Sequence, residues 1–197
     1  MNRTDIINDI IKKYHYLSYL EIGIKNPKVN FDKISISIKD GVDPNWKFDP
    51  IRGSKFEITS DEFFDRYKNK YDIIFIDGKH ICKQIDLDFS NSFKSLNNNG
   101  TIVLHDANPP NERVQRVPRV GGQWTGDGWK TIYKLRLRSD LKIFTVDTDF
   151  GCCVVRRGYQ KPLSLSSDNM NWKYFESHKY EILNLISTQE FNKWISK

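Results

Sequence analysis

Four short apolar runs in this chain finish in acids, and two of those acids stand beside an imidazole. The runs are Tyr19-Leu20-Glu21-Ile22-Gly23, Gly41-Val42-Asp43-Pro44, Tyr71 to Ile76 leading into Asp77-Gly78-Lys79-His80, and Gly100 to Leu104 leading into His105-Asp106. The last two are the richest in chemistry. Hard divalent cations take oxygen ligands, and one or two carboxylates with water in the remaining positions is an ordinary arrangement for magnesium. Imidazole widens the choice toward manganese, iron or zinc. At the first run, Gly23 allows backbone to approach a ligand closely, and Glu21 can accept hydrogen bonds from a cationic or hydroxylated group. Asp43 follows roughly 20 residues later, the spacing at which an acid grips ribose hydroxyls in nucleotide-binding α/β units.

These ends share a crevice only if the runs are neighbouring parallel strands. Lys83 to Leu96 places Ile85, Phe89, Phe93 and Leu96 on one helical stripe between the third and fourth runs, so this stretch reads strand, helix, strand. Consecutive units of that kind build a parallel sheet covered by helices, with ligands beyond the carboxyl ends of the strands. Ahead of them, Ile6, Ile7, Ile10, Ile11 and Tyr14 predict an amphipathic helix within residues 1–16, capped by Thr4 or Asp5. Asn30 to Ile38 reads as a short helix followed by a strand through Val42. Trp129 to Leu137 reads as helix, Leu141 to Val146 and Phe150 to Arg156 as a closing strand pair, and 175–197 as one terminal helix. The expected fold is therefore a Rossmann-like α/β three-layer sandwich, its sheet mostly parallel with an antiparallel closing strand. The long polar segment 107–130, with Arg113, Arg116, Arg119, Trp124 and Trp129, is expected to be a substrate or lid loop.

With 197 residues, 38% hydrophobic, a single domain is expected over 1–197. Thirty-one Lys+Arg against 25 Asp+Glu give a net charge of +6, spread without a basic block that would demand nucleic acid. No apolar run approaches the roughly 20 residues of a bilayer span, and the expected location is the cytoplasm. Cys82, Cys152 and Cys153 have no metal-ligand spacing and their odd count describes no disulfide framework, so buried thiols are expected.

Only Gly23 stands where a dinucleotide site carries three glycines, which disfavours a pyrophosphate cradle. A nucleoside-like ligand held by acids points to a cofactor that is itself positively charged, and S-adenosylmethionine, a sulfonium, fits. The motifs Tyr19 to Gly23, Gly41 to Pro44, Ile58 to Phe64, Phe75 to His80, Leu104 to Asp106 and Trp124 to Lys130 resemble the class I S-adenosylmethionine-dependent methyltransferases. Within that class the chain is similar to a small group associated with O-methylation of sugars and glycans, related to metal-dependent macrolide-sugar methyltransferases. The resemblance implies that Glu21 and Gly23 belong to the cofactor loop, that Asp43 binds ribose, and that Thr59, Ser60 and Asp61 flank the adenine. It also implies that Asp77 and Asp106 are metal-ligand positions, with Asp77 bordering the cofactor, and that His80 is the base. His105 stands where the relatives place another carboxylate, and is the third expected ligand. The expected cofactors are S-adenosylmethionine and a divalent cation, Mg or Mn. The expected partner is a sugar or glycan acceptor, and a homo-oligomer is open through the apolar terminal helix.

Two readings of other classes stand beside this one. A nucleic-acid methyltransferase or binding module is suggested by the charge and aromatic content, but Asn108-Pro109-Pro110 is followed by Asn111 and lacks the aromatic that stacks a flipped base. A non-catalytic methyltransferase-like subunit of a glycan-synthesis complex is suggested by Lys25-Asn26-Pro27 in place of further glycines.

Overall fold

The structure, a computed structural model, describes residues 1–165 and 170–197. Its centre is an eight-stranded sheet with the order β3-β2-β1-β4-β5-β7-β6-β8. The strands are β1 (Ser18–Ile22), β2 (Ile38–Val42), β3 (Ser54–Phe56), β4 (Tyr71–Ile76), β5 (Leu96–Leu104), β6 (Leu141–Val146), β7 (Cys152–Arg157) and β8 (Leu185–Ile186). All neighbours run parallel except at β7, which is antiparallel to both β5 and β6. The expected reversed strand is therefore present but lies inside the sheet rather than closing it.

Strand alternation assigns each side chain to one of two cores. Ile74, Ile76, Ile102 and Leu104 face a core shared with the helices α2 (Ser60–Arg66), α3 (Cys82–Lys94), α5 (Trp129–Arg136) and α6 (Trp172–Leu183). Tyr19, Ile73, Phe75 and Val103 face the opposite core, closed by α1 (Arg3–Tyr14) and α7 (Thr188–Ser196). The layers are helix, sheet, helix. A further helix, α4 (Glu112–Gln115), is a single turn inside the segment expected to be a loop.

Several boundaries differ from the sequence expectation, each for a local physical reason. The cap of α1 is Asn2, in a reciprocal capping box with Asp5, not Thr4 or Asp5. Thr59 and Glu62 form a second capping box and start α2, which the apolar pattern did not announce. The short helix expected after Asn30 is one 3₁₀ turn, Phe31–Lys33. The single terminal helix expected over 175–197 is two helices. Asn184 ends α6 in a left-handed conformation (φ 45°), β8 pairs with β6, and Ser187 with Glu190 caps α7. Trp194 of α7 packs on Tyr14 and Phe144, so the apolar side of this helix is used within the molecule. All three cysteines are buried free thiols, as expected. No helix among the described residues is long and apolar enough to cross a membrane.

Candidate active site

The register aligns the strand ends. Ile22 pairs with Val42 and with Ile76, and Ile76 pairs with Leu104. The ladder continues one residue further: Gly23 N–H donates to Val42 O (2.8 Å), Asp77 N–H to Ile22 O (2.8 Å) and His105 N–H to Ile76 O (3.0 Å). Gly23, Asp43, Asp77 and His105 thus leave the sheet in one row, at its carboxyl edge, where open α/β sheets bind ligands.

A cleft of about 560 Å³ opens over this row, lined among others by Gly23, Asp43, Ser60, Asp61, Asp77 and His80. That size suits a nucleoside-scale ligand. Gly23 has φ +87°, and a Cβ there would overlap the Asp77 carbonyl, so only glycine lets the β1 loop close against the end of β4. Asp43 organises the rim: its carboxylate accepts the Lys25 N–H (2.9 Å) and the Asn45 N–H (2.6 Å). Thr59 lines the cleft while its hydroxyl serves the α2 cap. Ser60 donates to Asp88 (2.6 Å), and Gln84 donates to both Asp61 (3.1 Å) and Asp88 (3.2 Å). This network ties α2 to α3 along one wall, and burial raises the pKa of Asp88 above the usual carboxylate value.

Glu21 does not reach the cleft, contrary to the expected cofactor contact. It shares a sheet face with Tyr19, is 2% exposed, and accepts hydrogen bonds from the Tyr19 hydroxyl (2.5 Å) and the Asn30 amide (2.9 Å). Burial pushes its pKa up to about 8. It is an interior acid supporting the loop from below.

At one end of the cleft the acids and imidazoles converge. Asp77, His80 and Asp106 present ligand atoms within 4.8 Å of one another. The two carboxylates form a donor set that suits a divalent ion, with the His80 imidazole beside them. His80 Nδ1 is 2.9 Å from Asp106 Oδ2. Asp106 itself has φ 55°, a left-handed conformation that Asp adopts more readily than most residues. Burial by itself would raise its pKa, but the hydrogen bonds and charges of His105 and His80 outweigh that and hold it at about 2.

His105 is not in that ligand set, which departs from the expectation that it would be the third ligand. Its Nδ1 stands 3.1 Å from Asp77 Oδ1 and 3.3 Å from Asp106 Oδ1, and its Nε2 is 3.6 Å from Asp149 Oδ1. Burial lowers its pKa, yet the three carboxylates overcome this and raise it well above the ordinary imidazole value. His105 acts here as a clamp between acids.

Two members of this cluster escaped the sequence reading. Arg3, at the start of α1, donates from Nη1 to Asp77 Oδ2 (2.7 Å) and from Nε to Asp149 Oδ2 (3.0 Å). Asp149 sits in the β6–β7 turn, with a pKa lowered chiefly by the His105 imidazole, whose Nε2 is 3.6 Å from its Oδ1, and by Arg3. Neither lies at the end of an apolar run, and their pairing spans 146 positions. The one available signal was the polar turn Asp147-Thr148-Asp149, which leads toward the same edge.

The segment 107–130 is anchored to this end of the cleft. Thr125 N–H donates to Val114 O (3.0 Å), and Asp127 accepts the Cys82 N–H (2.7 Å), supplying α3 with the side-chain cap it lacks. Gly126 (φ +62°) lies on the His80 backbone, and the Trp124 ring meets the His80 ring edge-on at 5.4 Å. The stretch is a fixed platform beside His80.

Residues 38–107 match a family profile described as a methyltransferase domain. No curated protein matches the chain in sequence. Among solved structures, a candidate caffeoyl-CoA O-methyltransferase from Staphylococcus aureus is similar at 17% identity and a TM-score of 0.60, over 79% of this chain and 82% of that one. An O-methyltransferase from Bacillus cereus in complex with SAH gives 13% identity and a TM-score of 0.57, over 80% and 82%. The MycE methyltransferase of mycinamycin biosynthesis, in complex with Mg, SAH and mycinamycin VI, gives 18% identity and a TM-score of 0.55. There the match covers 81% of this chain but half of the other. The shared feature is the α/β fold with its mostly parallel sheet; the matched profile is described as a methyltransferase domain, and two of these three neighbours are complexes with SAH.

Proposed function

We propose that this chain is an S-adenosylmethionine-dependent O-methyltransferase that methylates a sugar or glycan hydroxyl with the help of a divalent cation. The observation that carries the proposal is the junction of two features: a nucleoside-sized cleft over Gly23 and Asp43, and the Asp77, His80 and Asp106 cluster at its end. When bound, S-adenosylmethionine supplies an electrophilic sulfonium methyl, and a divalent ion supplies a Lewis acid that makes a hydroxyl more acidic.

The chain's own residues divide the remaining work. Asp43, already fixed by two loop amides, offers its remaining lone pairs to ribose hydroxyls. Ser60 and Asp61 border the far wall, and Asp77 stands where the cleft meets the cluster. Asp77 and Asp106 would hold the ion. His80 accepts the acceptor's proton: Asp106 takes its Nδ1, which orients the ring and leaves proton transfer to Nε2. Trp124, beside His80, gives a flat apolar face of the kind on which sugar rings stack. The complex of MycE with Mg, SAH and mycinamycin VI supports the metal and the cofactor as working choices.

The test is calorimetric titration with S-adenosylhomocysteine, followed by transfer of a labelled methyl group to a panel of mono- and oligosaccharides with Mg²⁺ or with chelator. Binding of the nucleoside and chelator-sensitive labelling of a carbohydrate are expected. Absence of nucleoside binding would overturn the cofactor assignment, and labelling that survives chelation would overturn the metal.

A further inference from the structure

We infer that Arg3 is the resident cation of the acid cluster, and that a divalent ion binds there by taking Asp77 away from it. The inference rests on the metal-assisted reading above. Arg3 comes from outside the sheet, yet its Nη1 is 2.7 Å from Asp77 Oδ2 and 3.4 Å from His105 Nδ1. A guanidinium stays charged throughout the accessible pH range, so it occupies this position as a permanent positive charge.

Arg3 also has a second anchor. Nε donates to Asp149 Oδ2 (3.0 Å), Nη2 to Asp149 Oδ1 (3.4 Å), and the Arg3 backbone N–H to Asp149 Oδ2 (3.0 Å). The helix behind it is docked independently by Ile6, Ile7 and Ile10, all fully buried. Breaking a buried ion pair is costly because it leaves a charge unpaired. Here neither charge is stranded: Arg3 keeps Asp149, and Asp77 receives the ion. The contact at Nη1 is therefore the exchangeable one, and Asp77 is the carboxylate that changes partner.

The sign of the effect follows from charge. A divalent ion on Asp77 and a guanidinium on the same carboxylate repel strongly at this separation in a site of reduced dielectric. An orienting partner behind a ligand commonly improves metal affinity, by about ten- to a hundredfold. Asp77 is already oriented by His105, 3.1 Å from its other oxygen, so Arg3 adds little orientation and its repulsion dominates. Removing the charge should tighten metal binding.

The experiment is calorimetric titration of the full chain with MnCl₂, comparing wild type, Arg3→Gln and Arg3→Lys, with S-adenosylhomocysteine titrated into the same preparations. Arg3→Gln is expected to bind Mn²⁺ about tenfold more tightly than wild type, while Arg3→Lys, which keeps the charge but loses the planar fork, stays close to wild type. Equal or weaker binding by Arg3→Gln, a common shift in both variants, or no Mn²⁺ binding by any of the three would overturn the inference. The nucleoside titration separates the two proposals, since its failure strikes the cofactor assignment and leaves the Mn²⁺ comparison readable. Hydrogen exchange on the wild type needs no variant: saturating Mn²⁺ should leave α1 protected, since Asp149 and the buried isoleucines hold it without the Asp77 contact. Release of α1 by the ion would overturn the claim that the Nη1 contact is the exchangeable one.

Discussion

Gly126 lies against the backbone of His80 so closely that a Cβ at 126 would overlap the His80 carbonyl oxygen. The platform segment and the turn carrying the proposed base are thus one packed unit. Through it, the position of His80 depends on a residue 46 positions away that has no side chain.

Gly126→Ala should therefore be destabilising twice over, through the left-handed backbone at φ +62° and through overlap with backbone that cannot step aside. A loss of about 2–3 kcal/mol is expected, read as a lowered midpoint in thermal or urea unfolding. Wild-type stability would show that the segment yields freely and is not a fixed support.

Replacing His80 by Ala should lower kcat by about a hundredfold to ten-thousandfold, the range for loss of a general base. S-adenosylhomocysteine should still bind, since the contacts assigned to Asp43 are untouched. Asp106→Asn should follow in the same direction, because it takes the negative charge from the group 2.9 Å from Nδ1 and from one of the two carboxylates assigned to the ion. Steady-state kinetics alongside calorimetry separate the two quantities, and unchanged kcat in either variant would remove His80 from its role.

Asp43→Ala should weaken S-adenosylhomocysteine binding by about tenfold or more, the worth of one or two hydrogen bonds. It also frees the Lys25 and Asn45 amides that the carboxylate now fixes. Asp43→Asn keeps one acceptor oxygen and should fall between. Affinities indistinguishable from wild type would place the ribose elsewhere.

Glu21 predicts a pH dependence that a neutral replacement abolishes. Its pKa is about 8 in the fold against 4.5 for the free side chain. Between those values the folded chain holds a proton that the unfolded chain has lost, so stability contributed at low pH declines as pH rises from about 4.5 to about 8. The decline is on the order of a few kcal/mol. Glu21→Gln should show a flatter profile across that interval and greater stability than wild type at its upper end. Parallel profiles in urea unfolding at pH 5 and pH 8 would contradict the burial argument.

Much of this molecule was legible before any coordinates. Apolar runs ending in acids identify strands and their carboxyl ends, since a buried parallel strand must be apolar throughout and can turn polar only where it leaves the sheet. The stripe Ile85, Phe89, Phe93 identifies the crossover helix for the same reason of periodicity. Asp43, Asp77, His80 and Asp106 stood out because their chemistry sits at those ends. The caps at Asn2, Thr59 and Ser187 were equally local, yet they were overlooked in favour of apolar spacing.

Which acids share a pocket was decided only in three dimensions. Glu21 points into the core because strand parity puts it on the face of Tyr19, where Asn30 meets it. His105 becomes a clamp between acids because three carboxylates surround it, one of them from a turn more than 40 positions away. Arg3 and Asp149 join the site through packing of α1 against the sheet and a turn between β6 and β7, contacts with no trace in local spacing. Local rules write the elements into the chain because backbone hydrogen bonding and apolar periodicity act over a few residues. Charge networks are set by distance in space, which only the packed fold defines.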